Sequence, residues 1–396
     1  DRRIDGSFPQ GEITRTIRED TERKGMLFVG TETGVFVSID DGKEWRRLNL
    51  NMPPLPVHDL KIKEGDLVAA THGRGFYILD DISPLRQYSE DMANKSAYLF
   101  KPADHTRFGY LWWMEYGGGP PSDKKYYFVR NAEAGDTFYE RGIVNGEKKR
   151  DFIVAVDARP TGAIIYYLLR EDAKEISLEI LDEDGNLVRK YTQDDIPTQR
   201  FLGFDNRGYE KDLVTGEPKA TVSKGLNRFI WDMRYPMVSA IPGVPPVVIK
   251  PIAKPGTYQV RLTVDGNSQT QSFELKLNPN ETYTREETDA KDEAWMALYN
   301  KTEEAIQMVL KAKAAQEKAQ EVLESGSASA EQKAQAEKVN QLSTDFVKGM
   351  VATGATLVQI ISEPTKPLSK LVLLHNNLEH TEGPPNEPWF QVYDKT

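Results

Sequence analysis

The spacing of hydrophobic residues changes once along this chain, near residue 281. Before that point, short apolar runs are separated by Gly, Asp and Pro, which is typical of β strands joined by tight turns. After it, residues 286 to 324 contain neither Pro nor Gly, and Trp295 and Leu298 begin a series of apolar residues at helical spacing. Ser329 can cap a second helix that stops at Pro364. The sequence therefore predicts a mainly β chain with an α-helical C-terminal part, a long helical hairpin.

The β part of the sequence shows two patterns. Residues 26 to 90 hold short strands at regular spacing, enough for about one and a half to two blades of a β-propeller at roughly 40–45 residues per blade. Residues 161 to 280 alternate apolar and polar residues around Asp184-Gly185 and Asp265-Gly266, pairs that suit the two positive-φ positions of a hairpin. About seven such strands predict an immunoglobulin- or fibronectin-like β-sandwich. Within it, "RFIWDMRYP" predicts a core strand with a charged outer face.

One hairpin of the first pattern carries a specific set of residues. The stretch "SIDDGKEW" places Ser38, Asp40, Gly42 and Trp45 at the spacing Ser-x-Asp-x-Gly-x-x-Trp. Ser38 and Asp40 can accept backbone N–H groups of the turn, Gly42 can take a positive φ, and Trp45 can cover the hairpin base. A calcium site is disfavoured, because the spaced oxygen ligands and the terminal Glu of a calcium loop are missing. The motif therefore predicts a structural turn.

With this motif in place, residues 27 to 87 resemble the closing blades of Asp-box (BNR-like) β-propellers of the sortilin-type and glycosyl-hydrolase-like repeat superfamily. The stretches "LEILDEDGNLVRKY" and "PGTYQVRLTVDG" resemble the sandwich that follows the propeller in large exported bacterial proteins of that superfamily. A closed propeller needs at least four blades. The resemblance therefore implies that further blades precede Asp1, and that the chain is the C-terminal portion of an extracellular or periplasmic protein.

These patterns predict four regions. Residues 1–92 are the last blades of the propeller, and residues 93–160 are an irregular, aromatic-rich junction with strands. Residues 161–280 form the β-sandwich, and residues 281–396 form the helical hairpin and a truncated helical tail. The outer half of the hairpin has few large apolar residues, so it either docks to a partner or is solvated. Its apolar root at Trp295 and Leu298 favours packing against the rest of the chain.

Two stretches offer candidate binding residues. In "ATHGRGFYILDD", His72 and Arg74 lie in a glycine-rich turn. A functional interpretation places both in a pocket on the propeller face, whereas a structural one pairs Arg74 with a carboxylate of a neighbouring blade. In "FGYLWWMEYGGG", Tyr110, Trp112 and Trp113 either stack on sugar rings or fill the junction between propeller and sandwich.

No complete catalytic site is evident in the sequence. Asp80 and Asp81 are adjacent, so a regular strand would point them to opposite faces, and they could not flank one glycosidic bond. His72 has no Ser or Cys nucleophile nearby in sequence, and His375 and His380 are spaced wrongly for two metal ligands on one helix face. We therefore expect no metal and no cofactor. Two functional classes stay open: an exported binding or scaffolding protein, and a glycoside hydrolase of the Asp-box propeller type with most catalytic acids upstream.

The charge balance narrows the choice of partners. The chain carries a net charge of −10 and has no basic run, which argues against nucleic acid. It has no cysteine, so thiolate chemistry and disulfides are excluded, and no apolar run is long enough to span a membrane. We expect a glycan or protein ligand. We also expect self-association, because an open propeller leaves unpaired strand edges.

Overall fold

The chain is mainly β with an α-helical C-terminal part, as the sequence predicts. The computed structural model describes residues 6–89, 92, 94–107, 128–132, 135–144, 147–152, 162–194, 198–199, 214–215, 219–242, 244, 249–280, 282–352, 366–381 and 383–396. The four region boundaries predicted above stay predictions.

Two antiparallel sheets form the N-terminal part. The first has the order β1-β2-β3-β4 and consists of β1 (Thr14–Glu19), β2 (Leu27–Thr31), β3 (Val35–Ser38) and β4 (Arg46–Arg47). The second has the order β5-β6-β7 and consists of β5 (Val57–Lys63), β6 (Asp66–Thr71) and β7 (Phe76–Leu79), followed by the short helix α1 (Ser83–Gln87). In both sheets, neighbours in sequence are neighbours in space.

The central strands β2 and β3 of the first sheet are buried on both faces. One face packs on the second sheet through a cluster that includes Phe28, Val37, Val57 and Leu60. The other face holds a smaller cluster of Leu27, Val29, Phe36 and Trp45, against which Phe8 packs. Because consecutive residues of a strand point to opposite faces, a strand buried on both sides reads as a continuous apolar run, as "LFVGT" does here.

Two sheets, which we call the middle sheets, form around the middle of the chain. One has the order β18-β13-β8 and consists of β8 (Ala97–Leu99), β13 (Ala163–Leu169) and β18 (Gly225–Trp231). The other has the order β15-β14-β19-β20-β9 and consists of β9 (His105–Thr106), β14 (Ile176–Leu181), β15 (Leu187–Thr192), β19 (Gly256–Val264) and β20 (Asn267–Lys276). The pairing of β9 with β20 is parallel, and the other pairings in these two sheets are antiparallel.

The remaining strands of the described residues form two further sheets. The order β10-β11-β12 joins β10 (Phe128–Ala132), β11 (Gly135–Val144) and β12 (Glu147–Phe152). A two-stranded sheet joins β16 (Thr198–Gln199) and β17 (Val214–Thr215).

The two Asp-Gly pairs behave differently. Asp265 and Gly266 have φ values of 46° and 84°, so both take the positive-φ conformations that a two-residue hairpin between β19 and β20 requires. At the other pair only Gly185 has a positive φ, at 82°. There the carboxylate of Asp182 accepts the backbone N–H groups of residues 184 and 186, and a register shift lies at the end of β14. The prediction of a two-residue turn at residue 184 is therefore wrong, because an Asx turn forms a wider loop.

The described residues after 281 form four helices: α2 (Arg285–Glu324), α3 (Ala330–Met350), α4 (Pro367–His380) and α5 (Glu387–Lys395). Ser329 caps α3 through the N–H of Gln332, as predicted, and Thr284 makes the equivalent capping box at α2. α3 ends at Met350, before the stop predicted at Pro364. Residues 353–365 lie outside the described part.

The core of the two middle sheets continues into the helices. One cluster of buried side chains joins Trp231 and Tyr258 of the strands to Trp295 and Leu298 of α2, and further to Trp389 of α5. Leu298 is completely buried. The packing interpretation of the apolar root of the hairpin is therefore confirmed, and the sheets share their core with the helices.

Candidate functional site

The hairpin between β3 and β4 is built around Ser38 and Asp40. The hydroxyl of Ser38 donates to Asp40 Oδ1 at 2.8 Å and accepts the N–H of Gly42 at 2.9 Å. Asp40 Oδ1 in turn accepts the N–H groups of Lys43 at 3.1 Å and Glu44 at 2.9 Å. Gly42 has a φ of 80°, a conformation that suits glycine. The side chains thus satisfy the backbone donors that a tight turn leaves free.

Electrostatics agree with this role for Asp40. Burial opposes the charged form, but hydrogen bonds from the backbone of Glu44, from the Ser38 hydroxyl and from the backbone of Lys43 prevail, and they hold the pKa of Asp40 below its usual value. The carboxylate is therefore ionised at neutral pH, and its Oδ1 accepts hydrogen bonds from Ser38, Lys43 and Glu44. Such a group is a poor candidate for a catalytic acid.

Trp45 closes the base of the same hairpin. Its side chain is 7% exposed and packs against Leu27, Val29 and Phe36. The ring of Phe8 meets it edge-on, with the centroids 5.5 Å apart. Its backbone N–H donates to the hydroxyl of Ser7 at 2.9 Å, so the segment before β1 is tied to the hairpin.

His72 and Arg74 lie in the turn between β6 and β7, and both side chains are exposed. The turn closes through the N–H of Thr71 and the carbonyl of Gly75, 2.9 Å apart. The ring of His72 stacks on that of His58, with centroids 5.2 Å apart and an angle of 26° between the planes. We call His58, His72 and Arg74 the rim cluster. Tyr110, Trp112 and Trp113 lie outside the described residues.

The edge strand β7 exposes apolar side chains on the outer face of the second sheet. Pairing of β5, β6 and β7 puts Asp59, Ala70 and Phe76 on one face, and Leu60 with its partners on the face that packs against the first sheet. On the outer face, Phe76 is 73% exposed and Ile78 is 59% exposed. Both are next to the turn that carries the rim cluster, so the candidate site combines cationic, aromatic and apolar groups.

Several nearby carboxylates have structural partners. Asp81 is buried, and its Oδ1 accepts the N–H of Ser83 at 3.0 Å, which helps to begin α1. Asp59 is paired with Arg18 across the sheets. Asp80 is half-buried at the end of β7.

Asp20 is a further carboxylate that holds the two sheets together. It is bound by Arg86 through two guanidinium nitrogens at 2.8 to 3.2 Å. Burial raises its pKa, but Arg86 and the backbone N–H of Arg23 lower it more, so the net shift is downward. Asp20 is therefore charged and serves to fasten α1 to the first sheet.

The sequence analysis missed two buried ion pairs. Arg107 Nη1 lies 2.7 Å from Asp292 Oδ2, and Arg234 Nη2 lies 2.7 Å from Glu379 Oε1. All four side chains are less than a tenth exposed. Their partners are 185 and 145 residues apart in sequence, so no local pattern could pair them. A signal did exist for Asp292, which precedes Trp295 by three positions and so shares the apolar face of α2.

In the pair of Arg107 and Asp292, the arginine does not fully offset the cost of burying the carboxylate. Burial raises the pKa of Asp292, and the attraction of Arg107 offsets this only in part, so the net shift is upward. Oδ1 of Asp292 is buried and has no hydrogen-bond partner among the described residues. The pair joins α2 to the segment after β9 rather than forming an accessible site.

The expectation for residues 228 to 236 is half right. Phe229 and Trp231 are in the core, as predicted. The strand ends at Trp231, however, and Arg234 is 6% exposed rather than on an outer face. Met233 has a φ of 57°, so the chain turns there and brings Arg234 against Glu379. The alternation of a strand does not continue through that turn, which is why the prediction of a charged outer face was wrong for Arg234.

Asp232 lies in the same turn with a second set of basic partners. Burial opposes its ionisation, but Lys250 and Arg189 beside it hold its pKa below the usual value. Lys250 is bonded to Asp232 directly. Two ion pairs therefore hold the segment after β18: Asp232 with Lys250, and Arg234 with Glu379.

Among the residues that the structure describes, no group of three or more His, Cys, Asp or Glu side chains is arranged to hold a metal ion. In that same part of the chain, none of the helices combines the length and the apolar character needed to cross a bilayer.

Comparisons with known proteins add little to this geometry. No family model matches the chain, and no curated protein matches it. Among solved structures, the chain is similar to the extracellular domain of a hybrid two component system from B. thetaiotaomicron, with 11% sequence identity and a TM-score of 0.16. The likeness covers 69% of this chain and 26% of the other, so the chain spans about a quarter of that structure. A likeness at this TM-score carries no argument about fold or function.

Proposed function

We propose that this chain belongs to an exported, multidomain binding or scaffolding protein, and that the rim cluster contacts its glycan or protein ligand. The observation that carries the proposal is the stacked pair of His58 and His72 beside Arg74, all exposed at one end of the second sheet. Imidazole rings and a guanidinium offer hydrogen-bond donors and flat stacking surfaces. Such groups suit a ligand that carries carboxylates or sugar hydroxyls.

The same proposal treats the two N-terminal sheets as blades of an Asp-box propeller. Three observations support this. Each sheet is an antiparallel meander, the first strands β1 and β5 lie side by side, and Ser38 and Asp40 close the hairpin turn. Gly30 on β2 lets β5 approach closely, because a Cβ there would lie 2.9 Å from Val57. The two middle sheets, which share one core, are proposed to be the sandwich.

The exposed apolar side chains of β7 support self-association or packing on a further blade. Phe76 and Ile78 lie on β7, which is an edge strand of its sheet. Exposed apolar side chains on an edge strand favour pairing with another sheet. An extracellular or periplasmic location remains part of the proposal, from the family that the sequence resembles.

The alternative function is a glycoside hydrolase with most of its catalytic acids upstream. That chemistry needs two carboxyl groups on opposite sides of one bond, about 5–5.5 Å or 6.5–9.5 Å apart. Asp20, Asp40 and Asp81 each hold backbone N–H groups. Their engagement favours binding over hydrolysis.

The test is a binding measurement on the whole chain. Uronic-acid-containing and neutral polysaccharides are titrated by calorimetry into the parent protein, the variant Arg74→Gln and the variant His72→Gln. Arg46→Gln is the matched control, an exposed arginine on the first sheet. We expect either rim variant to weaken binding at least tenfold and the control to leave it unchanged. Equal affinities in all four proteins, or no binding to any glycan or acidic protein, would remove the basis of the proposal.

A further inference from the structure

His375 on α4 is buried among charged groups. Its side chain is 1% exposed, and Trp295 of α2 donates its indole N–H to Nδ1 of the imidazole at 2.9 Å. The two ring centroids are 5.6 Å apart. This bond joins α4 directly to the helix that shares its core with the sheets.

The direction of this hydrogen bond fixes where the imidazole proton is. An indole nitrogen can only donate, so Nδ1 must act as the acceptor and carries no hydrogen. The neutral ring therefore has its proton on Nε2, which faces Oε2 of Glu379 at 3.8 Å. A second proton on the ring would have to be placed on Nδ1, where it would meet the N–H of Trp295.

Among the described residues, the charged groups near His375 and Trp295 come from three elements. On α4 itself, Glu379 is already bound by Arg234 of the segment after β18, at 2.7 and 3.3 Å. On α2, Lys291 lies over the Trp295 ring, with its Nζ 5.7 Å from the centroid. A cation on His375 would share the single charge of Glu379 with Arg234.

Asp292, three positions before Trp295 on α2, is a further buried carboxylate. It is engaged by Arg107 at 2.7 Å. Of these described groups, Glu379 and Asp292 each have an arginine partner, and Lys291 lies over the indole of Trp295. Protonation of the ring would add a cation to a region whose negative charges are already engaged.

We propose that His375 is an acid-sensitive latch, which holds α4 on α2 when neutral and releases it when protonated. Protonation replaces the bond to Trp295 by two opposed N–H groups and leaves an imidazolium in a nearly waterless site. Release of α4 would carry α5 along, because Trp389 of α5 donates to the carbonyl of Leu374 at 3.1 Å. The helical tail would then separate from the core that it shares with the sheets.

The sign of the pH effect follows from linkage. The unfolded or released tail takes up the proton with the ordinary affinity of histidine, near pH 6.5, whereas the docked tail resists it. More protons are bound in the released state, so docking weakens as pH falls below about 6.5. At pH 7 and above the latch is closed.

The test compares the parent chain with His375→Gln by hydrogen exchange of the α4 and α5 amides at pH 7 and pH 5. Glutamine can accept the Trp295 N–H and does not titrate, and every other ionisable group is present in both proteins. Comparison at the same pH cancels the intrinsic pH dependence of exchange. We expect the parent's α4 protection at pH 5 to fall at least tenfold relative to His375→Gln. At pH 7 the two proteins should protect the α4 amides equally. At both pH values they should protect the β19–β20 amides equally.

A second readout covers the case in which His375→Gln does not fold. The chain has five histidines, so selective ¹⁵N labelling of histidine gives few enough signals to follow each ring. We expect His375 to be neutral at pH 7 with its proton on Nε2, and the variant Trp295→Phe to show a smaller acid response of α4. A proton on Nδ1 at pH 7, or α4 protection that is equal or higher in the parent at pH 5, would overturn the latch.

Discussion

Replacing Trp45 by alanine tests the packing of the first sheet. A buried aromatic side chain removes roughly 150–250 Å² from water, which at about 25 cal/mol per Å² is worth about 4 to 6 kcal/mol as an upper estimate. Trp45 is 7% exposed, so nearly all of that burial is lost in the alanine variant. Phe8 covers the ring from a segment that is tied to the hairpin by one bond from Ser7. Its partial collapse into the gap brings our expectation to about 3 to 5 kcal/mol.

The assay must report on this sheet and not on the whole chain. Hydrogen exchange of the β2 and β3 amides at increasing urea gives the unfolding free energy of the sheet itself. The variant Trp45→Phe keeps an aromatic ring in the cluster and is expected to lose about half as much or less. A loss under about 1 kcal/mol for Trp45→Ala would refute the reasoning, because a ring that packs on Leu27, Val29 and Phe36 cannot be removed so cheaply.

Three other predictions concern the turn, a buried ion pair and the shared core. Asp40→Ala removes the acceptor of two backbone N–H groups and should cost about 1–3 kcal/mol in urea melts, with no effect of added calcium on the parent. The fold lowers the pKa of Asp40, so its contribution is present above about pH 4 and is lost as pH falls through the lowered value; acid unfolding of the variant should lack that part. Arg107→Met leaves Asp292 buried without its cation and should cost about 3–5 kcal/mol by thermal melting, whereas the double variant with Asp292→Leu should recover most of the loss. Deleting residues 286 to 362 should abolish the near-ultraviolet signal of the sheets, because Leu298 and its neighbours belong to their core, and a folded sheet signal in the deletion would contradict that packing.

Local signals allowed much of the fold to be predicted. Helices α2 and α3 follow from a run without Pro or Gly and from a capping serine, because helix formation depends on neighbours within one or two turns. The hairpin at Asp265-Gly266 follows from the ability of both residues to take a positive φ. At Asp184 the same dipeptide does not form a two-residue turn, because the carboxylate of Asp182 accepts the N–H groups of Asp184 and Asn186.

The candidate site was less accessible to sequence reasoning. His72 and Arg74 were proposed from the glycines around them. Their neighbour His58 lies on β5, 14 positions before His72, and only the pairing of β5 with β6 brings the two rings together. The pairs of Arg234 with Glu379 and of Trp295 with His375 involve partners that are 145 and 80 residues apart. Charged residues usually lie at the surface, so sequence alone gave no reason to bury these.

Turnover on polysaccharides is the measurement that tests the central claim most directly, namely that this chain binds its ligand rather than hydrolysing it. The whole chain is incubated with glucans and with acidic polysaccharides, and the release of reducing ends is followed in the parent and in Asp59→Asn, Asp80→Asn and Asp81→Asn. We predict no product above the rate without protein, because Asp81 is buried with Oδ1 bonded to the N–H of Ser83, and Asp59 is paired with Arg18. Product formation that disappears with any one of the three substitutions would contradict the account and place a glycosidase site within this chain.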